Sequence, residues 1–450
     1  MNYSIRKAGY MASMLLTVLF VSCSNEKDYE VLETSTAKYE LVSVESMNRR
    51  SYEEALDIAK NSIPMIESKN TITRGVGNRR VVDEKNGVFT INSLPVVTRS
   101  GEAIEDTLIY VFNFSDNQGF AVVSANRSTE GLLAITESGS YSPNSESENI
   151  GFNDFMEKAK IYVQNAKTTT PVTRGETPTY WSSTLDTLEY YRIEPKISIA
   201  WGADETSGRY CSNQNAGCGP IAMAHIMSYY QHPTSFTYTF GNRDVNNESV
   251  DWSKINLHTN SKEHSFPLCY RQPYIDKTIG RICRELGCKS GSSYNSDGTT
   301  STSPGAIYNV LTYYGYTMSG FHSLPSDANA FLNYLQDDKI VIVIGNKIDN
   351  ISHVWLVDGG YHIKTHYVSN VSHDGINWEV LCDWMIELTY SHINWGWNGV
   401  FNGFFLYNVF DAENASEYDN VDIYNGVDIY NTTDQDVYYC KNLKYSTVYY

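Results

Sequence analysis

Between Ser51 and Ile63 the apolar positions Ala55, Leu56, Ile58 and Ala59 recur at helical spacing, which predicts one short amphipathic helix. Three strand-like runs follow at Val88 to Ile91, Thr107 to Phe114 and Gly119 to Ser124. Ser115-Asp116-Asn117-Gln118-Gly119 between the last two supplies hairpin chemistry. A second helix is predicted from about Phe152 to Ala166. Thr168 to Glu176 then carries no apolar period and reads as a linker open to proteolysis, with Lys167 and Arg174 as candidate cleavage positions. Helical patterns return from Cys218 to His232-Pro233, through Ile275, Ile279, Ile282 and Leu286, from Gly305 to Tyr314 and from Ala328 to Leu335, with a glycine- and serine-rich stretch from Ser290 to Ser303. After Lys339 the pattern turns to strands, Ile340 to Ile344 and His353 to Val357, the latter ending in Asp358-Gly359-Gly360. Helices first and an antiparallel sheet afterwards predict an α+β architecture. Near the C-terminus Val421-Asp422-Ile423-Tyr424-Asn425 is repeated as Val427-Asp428-Ile429-Tyr430-Asn431, too short for a solenoid and read as a duplication in a loop or edge strand.

The 450 residues exceed the usual size of one domain, so two folded parts behind a leader are expected. With 52 acidic against 34 basic residues the formal charge is −18, which argues against a nucleic-acid partner. Arg6 and Lys7 precede an apolar run from Met11 to Val21, too short for a spanning helix and of the length of an export signal. Cys23, directly after Phe20-Val21-Ser22, resembles the acylated cysteine of a bacterial lipoprotein box. Leu19 sits one place further out than usual, so cleavage without acylation stays open. The expectation is an exported protein anchored to the outer or cell-surface membrane through Cys23, with secretion after processing as the alternative. Of eight cysteines, Cys211, Cys269, Cys283, Cys288, Cys382 and Cys440 follow no small disulfide scaffold and are read as largely free thiols.

Cys218 stands in Asn215-Ala216-Gly217-Cys218-Gly219-Pro220, a small-residue turn that opens an apolar helix. Proline is tolerated in a first helical turn. A thiol there faces unpaired N–H groups and the positive end of the helix dipole, which lowers its pKa and favours thiolate. A buried core cysteine is the plainer alternative. A nucleophile needs a base, and His225, two turns along the same helix, does not reach the thiol. His362 and His366 lack a third metal ligand and are read as solvated. No metal or organic cofactor is expected. His353 opens a strongly apolar strand that would hold its aim, and Asn394, beside Trp395 and Trp397, suits a carboxamide that orients the imidazole.

Together, Gly217-Cys218-Gly219-Pro220-Ile221-Ala222-Met223-Ala224-His225, Ser352-His353-Val354-Trp355-Leu356-Val357-Asp358-Gly359 and His392-Ile393-Asn394-Trp395-Gly396-Trp397-Asn398-Gly399 resemble the nucleophile, histidine and asparagine-tryptophan motifs of the streptopain family of papain-like cysteine peptidases, in the same order. Tyr110-Val111-Phe112-Asn113 and Gly119 to Ala125 are similar to that family's propeptide. The resemblance implies a papain-like catalytic domain, a helical part plus an antiparallel sheet, behind an α+β propeptide domain. Its division would be signal peptide 1–22, tether 23–40, inhibitory propeptide 41–167, processing linker 168–179 and peptidase 180–450. It further implies Cys218 as nucleophile, His353 as base then acid, Asn394 as orienter, Trp395 and Trp397 as support, and Ser301, Ser303 and Ala306 on the substrate-binding wall. The partners would be peptide or protein substrates, the chain's own propeptide as inhibitor, and a membrane through the lipid.

Three departures matter. Family members carry a glutamine where this chain has Ala203 after Trp201-Gly202, and loss of one oxyanion donor typically costs about 10²–10³ in rate. Gln214, between Asn213 and Asn215, has the longest reach as a substitute. Ser352 and Val354 replace a smaller pair around His353, and an insertion is placed at Thr365 to Glu379 as a surface loop. A catalytically impaired lipoprotein that binds peptides or a partner protease, and a cell-wall amidase using the same acyl chemistry, remain alternatives.

Overall fold

Ser51 begins the first described helix, Tyr52–Ser62, through a capping box. Its hydroxyl accepts from the Glu54 N–H and its own N–H donates to the Glu54 carboxylate at 2.9 Å, satisfying two donors that the first turn leaves free. The structure is a computed structural model that describes residues 37–39, 49–67, 80–93, 96–97, 103–104, 106–127, 129–143, 147, 149–166, 180–203, 205–240, 243–259, 273–346, 352–372, 376–410 and 443–450. The signal, Cys23, most of the tether, the linker 168–179 with Lys167 and Arg174, and the repeat at 421–431 lie outside the described residues, as do Cys269 and Cys440.

Chain contacts gather into two units, one of residues 1–135, 162–191 and 361–389, the other of residues 136–161, 192–360 and 390–450. In the first, the strands Val88–Asn92, Thr107–Asn113, Phe120–Ser124 and Leu132–Thr136 pair antiparallel in chain order. The expected hairpin forms, with Asp116 and Asn117 in the left-handed region at φ 58° and 59°, which asparagine and aspartate tolerate. Ala55, Leu56 and Ala59 of the capped helix are buried, as is every residue of Phe120–Ser124. The same unit holds part of the strand Tyr180–Ile193 and the far portions of Ser352–Ser372 and Glu379–Asn394. Most of the segment read as a surface loop, Thr365 to Glu379, is therefore strand. His362 is buried rather than solvated, bonded through Nδ1 to Thr389 Oγ1 at 3.1 Å, while His366 Nε2 meets Asp383 at 2.7 Å on the surface.

The second unit holds an antiparallel sheet in which Ile340–Asn346 lies between Lys444–Tyr449 and the start of Ser352–Ser372. The end of Glu379–Asn394 pairs with Gly403–Leu406. Its helices include Cys218–Tyr230, Pro273–Lys289, Pro304–Tyr313 and Ala330–Gln336, close to the predicted spans. Gly219 to Ser228 are all buried, so the Cys218 helix is apolar on every side and runs through the core. Pro273–Lys289 buries Ile279, Ile282 and Leu286, each worth about 1.5–3 kcal/mol, and Arg281 pairs with Glu248 at 2.8 Å. The helix Ile150–Asn165 contributes residues 150–161 to this unit.

Candidate active site

Gly217 sets the position of the thiol. Its φ of 86° is open to glycine, and a Cβ there would stand 2.8 Å from Thr300 Cγ2. The Asn215 side chain accepts from the Gly217 N–H at 2.8 Å, and Asn213 donates to Thr299 O at 2.8 Å and Thr300 Oγ1 at 3.0 Å, so the turn is fastened to the 299–302 segment before the helix starts. Thr302 stands against Gly219 on the same side, placing this segment as a wall beside Cys218. Ser301 on that wall is exposed, whereas the Ser303 hydroxyl is spent as the cap of Pro304–Tyr313, accepting from the Ala306 N–H. Gln214 is exposed, in the left-handed region at φ 61°.

The half-buried Cys218 sulfur is reached by the backbone N–H of Val354, the neighbour of His353, together with those of Gly219 and of Cys218 itself. The Cys218 turn and the His353 strand are therefore side by side. The N–H groups stabilise thiolate as the sequence led us to expect, yet burial outweighs them and pushes the Cys218 pKa up, not down. His353 is 4% exposed, and burial lowers its pKa to about 4, opposed by the Trp395 carbonyl. Its Nε2 is buried without a hydrogen-bond partner. In this state sulfur and imidazole are both neutral.

His353 is covered by a residue that the sequence did not single out. A Cβ at Gly151, in the first turn of Ile150–Asn165, would lie 2.5 Å from Trp395 Cε3 and Cζ3 and 2.7 Å from His353 Cδ2, so the bare backbone of that helix rests on the imidazole and the indole. Asn149 caps the helix by accepting from the Phe152 N–H at 3.1 Å and donates to Val400 O at 3.3 Å. Phe152 packs on Phe401 and Phe155 on Phe405, with ring centroids 4.5 and 4.8 Å apart. The Lys158 ammonium, 1% exposed, donates to Phe410 O at 3.0 Å.

Asn394 does not take the orienting position expected of it. Its Nδ2 donates to Ile199 O at 3.1 Å and its Oδ1 accepts from the Gly396 N–H at 3.1 Å. It is one tie of a strap over residues 196–203. The Ile197 N–H donates to Asp358 Oδ2, the Trp201 N–H to His225 Nε2 and the Gly202 N–H to Asn398 Oδ1, at 2.9, 3.1 and 2.8 Å, and Ala203 O accepts from the Ala216 N–H at 2.6 Å. His225 is thus a structural acceptor, its pKa lowered to about 3 by burial. Trp395, fully buried, donates from Nε1 to Phe401 O and packs on Trp355, which stacks on His353. Trp397 is half-buried, its carbonyl accepting from the Val400 N–H.

Residues 199–405, which hold Cys218, His353 and Asn394, match the model of the Peptidase C10 family, and residues 43–163, which hold Gly151, match that of the Spi protease inhibitor. The chain is thus similar to the peptidase C10 family over residues 199–405. It is a cysteine-type peptidase carrying an inhibitor domain ahead of its catalytic domain, and the helix that covers His353 is part of that inhibitor domain. Streptopain of Streptococcus pyogenes is 22% identical over 339 residues, spanning 68% of this chain and 75% of its own, and the same holds for streptopain of serotype M1. Among solved structures, a fragment of Prevotella intermedia prointerpain A aligns with a TM-score of 0.46 and 15% identity over 80% of this chain and 98% of that one.

Proposed function

We infer that this peptidase is an exported endopeptidase held latent by residues 41–167, released by cleavage in the linker 168–179, and anchored before release through acylated Cys23. The observation that carries the mechanism is the placement of the Cys218 sulfur at a helix start, against the N–H next to His353. Once the Gly151 turn leaves, water reaches both groups and the burial that keeps them neutral falls away. His353 then takes the Cys218 proton, the thiolate attacks the peptide carbonyl, and the imidazolium returns the proton to the leaving amine. Water hydrolyses the resulting thioester with His353 as base. The N–H of Cys218 and the Gln214 amide are the oxyanion donors in this scheme, and Asn394 serves by holding the 196–203 strap under the site. Peptides would lie along the wall at Ser301 and Ala306. Ala203 also suits an impaired binder, and turnover separates the two readings.

The test is alkylation of purified chain before and after linker cleavage, with Cys218→Ala as control. Processed protein is expected to react at Cys218 at least about tenfold faster than at buried Cys211 and to hydrolyse peptides. Equal reactivity at the two cysteines rejects the mechanism.

A further inference from the structure

His392 lies two residues before Asn394 and has no role in the chemistry above. It is 3% exposed, and its Nδ1 is 2.6 Å from Asp358 Oδ1, a carboxylate that is itself fully buried. Its Nε2 is buried without a hydrogen bond and faces Glu137 Oε1 at 3.7 Å, inside ion-pair range. The two carboxylates come from different matched segments. Asp358 and His392 lie within the peptidase match, Glu137 within the inhibitor match. Glu137 is brought there by its own backbone, its N–H donating to Asn402 O at 2.7 Å, and by Ser138, whose hydroxyl donates to Gly399 O at 2.7 Å.

The ring also meets Phe404 edge-on, with centroids 5.1 Å apart. Arg192 lies over the Phe404 ring at 5.1 Å and is paired with Glu194. Two carboxylates against one imidazole, in a site closed to water, favour the cation. That cation has one satisfied nitrogen and one turned toward the inhibitor segment.

We propose that Glu137 is a recognition residue of the inhibitor domain and that the buried Asp358–His392 pair is its charged receptor on the peptidase, so that the hold on the Gly151 turn depends on the charge of one imidazole. The proposal rests on residues 41–167 being the inhibitor, as inferred above. The pKa of His392 is raised to about 9, burial being outweighed by Asp358 and then Glu137. The contact is therefore present while the ring is charged and is lost as pH rises through about 9. By reciprocity, removal of the inhibitor lowers the His392 pKa.

The test uses the full chain with Cys218→Ala, which does not process itself, and reads hydrogen exchange of residues 150–161 from about pH 6 to about pH 10, bracketing the ordinary and shifted histidine values. At each pH the rate in Glu137→Gln is divided by the rate with Glu137 intact, which cancels the intrinsic pH dependence of exchange. The ratio is expected to be about fivefold or more below about pH 8 and to fall toward one above about pH 10. Glu137→Asp, which keeps the charge but withdraws it, is expected to fall between. A ratio of one throughout, or a raised ratio that does not change with pH, overturns the proposal. Because no turnover is measured, failure of the peptidase mechanism would leave this result standing.

Discussion

Gly151→Ala places a methyl where the covering helix has no room for one. Its Cβ would meet Trp395 at 2.5 Å and His353 at 2.7 Å, against ordinary contact at 3.4 Å or more. Trp395 is fully buried between Trp355 and Phe405, with its indole N–H committed to Phe401 O, so the ring has no direction of retreat. The helix end must lift instead. Overpacking of this kind costs about 1–3 kcal/mol, and the helix preference of alanine over glycine returns no more than about 1 kcal/mol. A net of about 1–2 kcal/mol shifts the balance between covered and uncovered His353 by about 5–30-fold. The assay is the rate of Cys218 alkylation in unprocessed chain, followed by peptide mass and normalised to exposed Cys288. Gly151→Ala is expected to raise the ratio by that factor. An unchanged or lower ratio, in a chain that is folded by circular dichroism, would refute the claim that the Gly151 turn covers His353 and so holds Cys218 unreactive.

The histidines make stability fall on both sides of neutrality. His353 and His225, lowered to about 4 and about 3, stay neutral when folded while the unfolded chain takes up protons below about pH 6.5; the zymogen therefore weakens as pH drops from there to about 4, by about 3 kcal/mol for His353. His392 runs the other way, since its raised pKa contributes stability that is full below about pH 6.5 and lost as pH climbs through about 9. Melting temperature against pH should be a dome whose alkaline side flattens in His392→Gln, and a flat acid side would contradict the burial of His353. Asn394→Ala deprives the Ile199 carbonyl and the Gly396 N–H of partners in a buried site, at about 2 kcal/mol in all, or about 4–8 °C in Tm. If Tm is unchanged, Asn394 does not tie the strap.

The Cys218 helix was legible because an unbroken apolar run, a preceding glycine and Pro220 all point to the same start. The hairpin at 115–119 was legible for a similar local reason. Within Ser352–Ser372 the sequence predicts strand only as far as Val357, because Asp358-Gly359-Gly360 reads as a turn; the strand runs on through it, and Lys364 and His366 pair across it with Glu387 and Asp383. The thiol pKa was misjudged for a related reason. A helix N-terminus is visible in sequence, whereas the burial that overrides it arises only in the folded chain. Glu137 carried no signal at all, since its meaning lies in facing His392, and the Asp358–His392 pair sat unassigned inside motifs noticed for other residues.

The strap over residues 196–203 bears on what a cut does to this protein. Its ties to Asp358, Asn394, Asn398, His225 and Ala216 all come from residues that stay with the catalytic domain. On the proposed cleavage in the linker 168–179, the new amino terminus would lead through the strand Tyr180–Ile193 into a stretch already moored to the catalytic part. Under that proposal, cuts at several neighbouring linker bonds would leave the same moored stretch behind them.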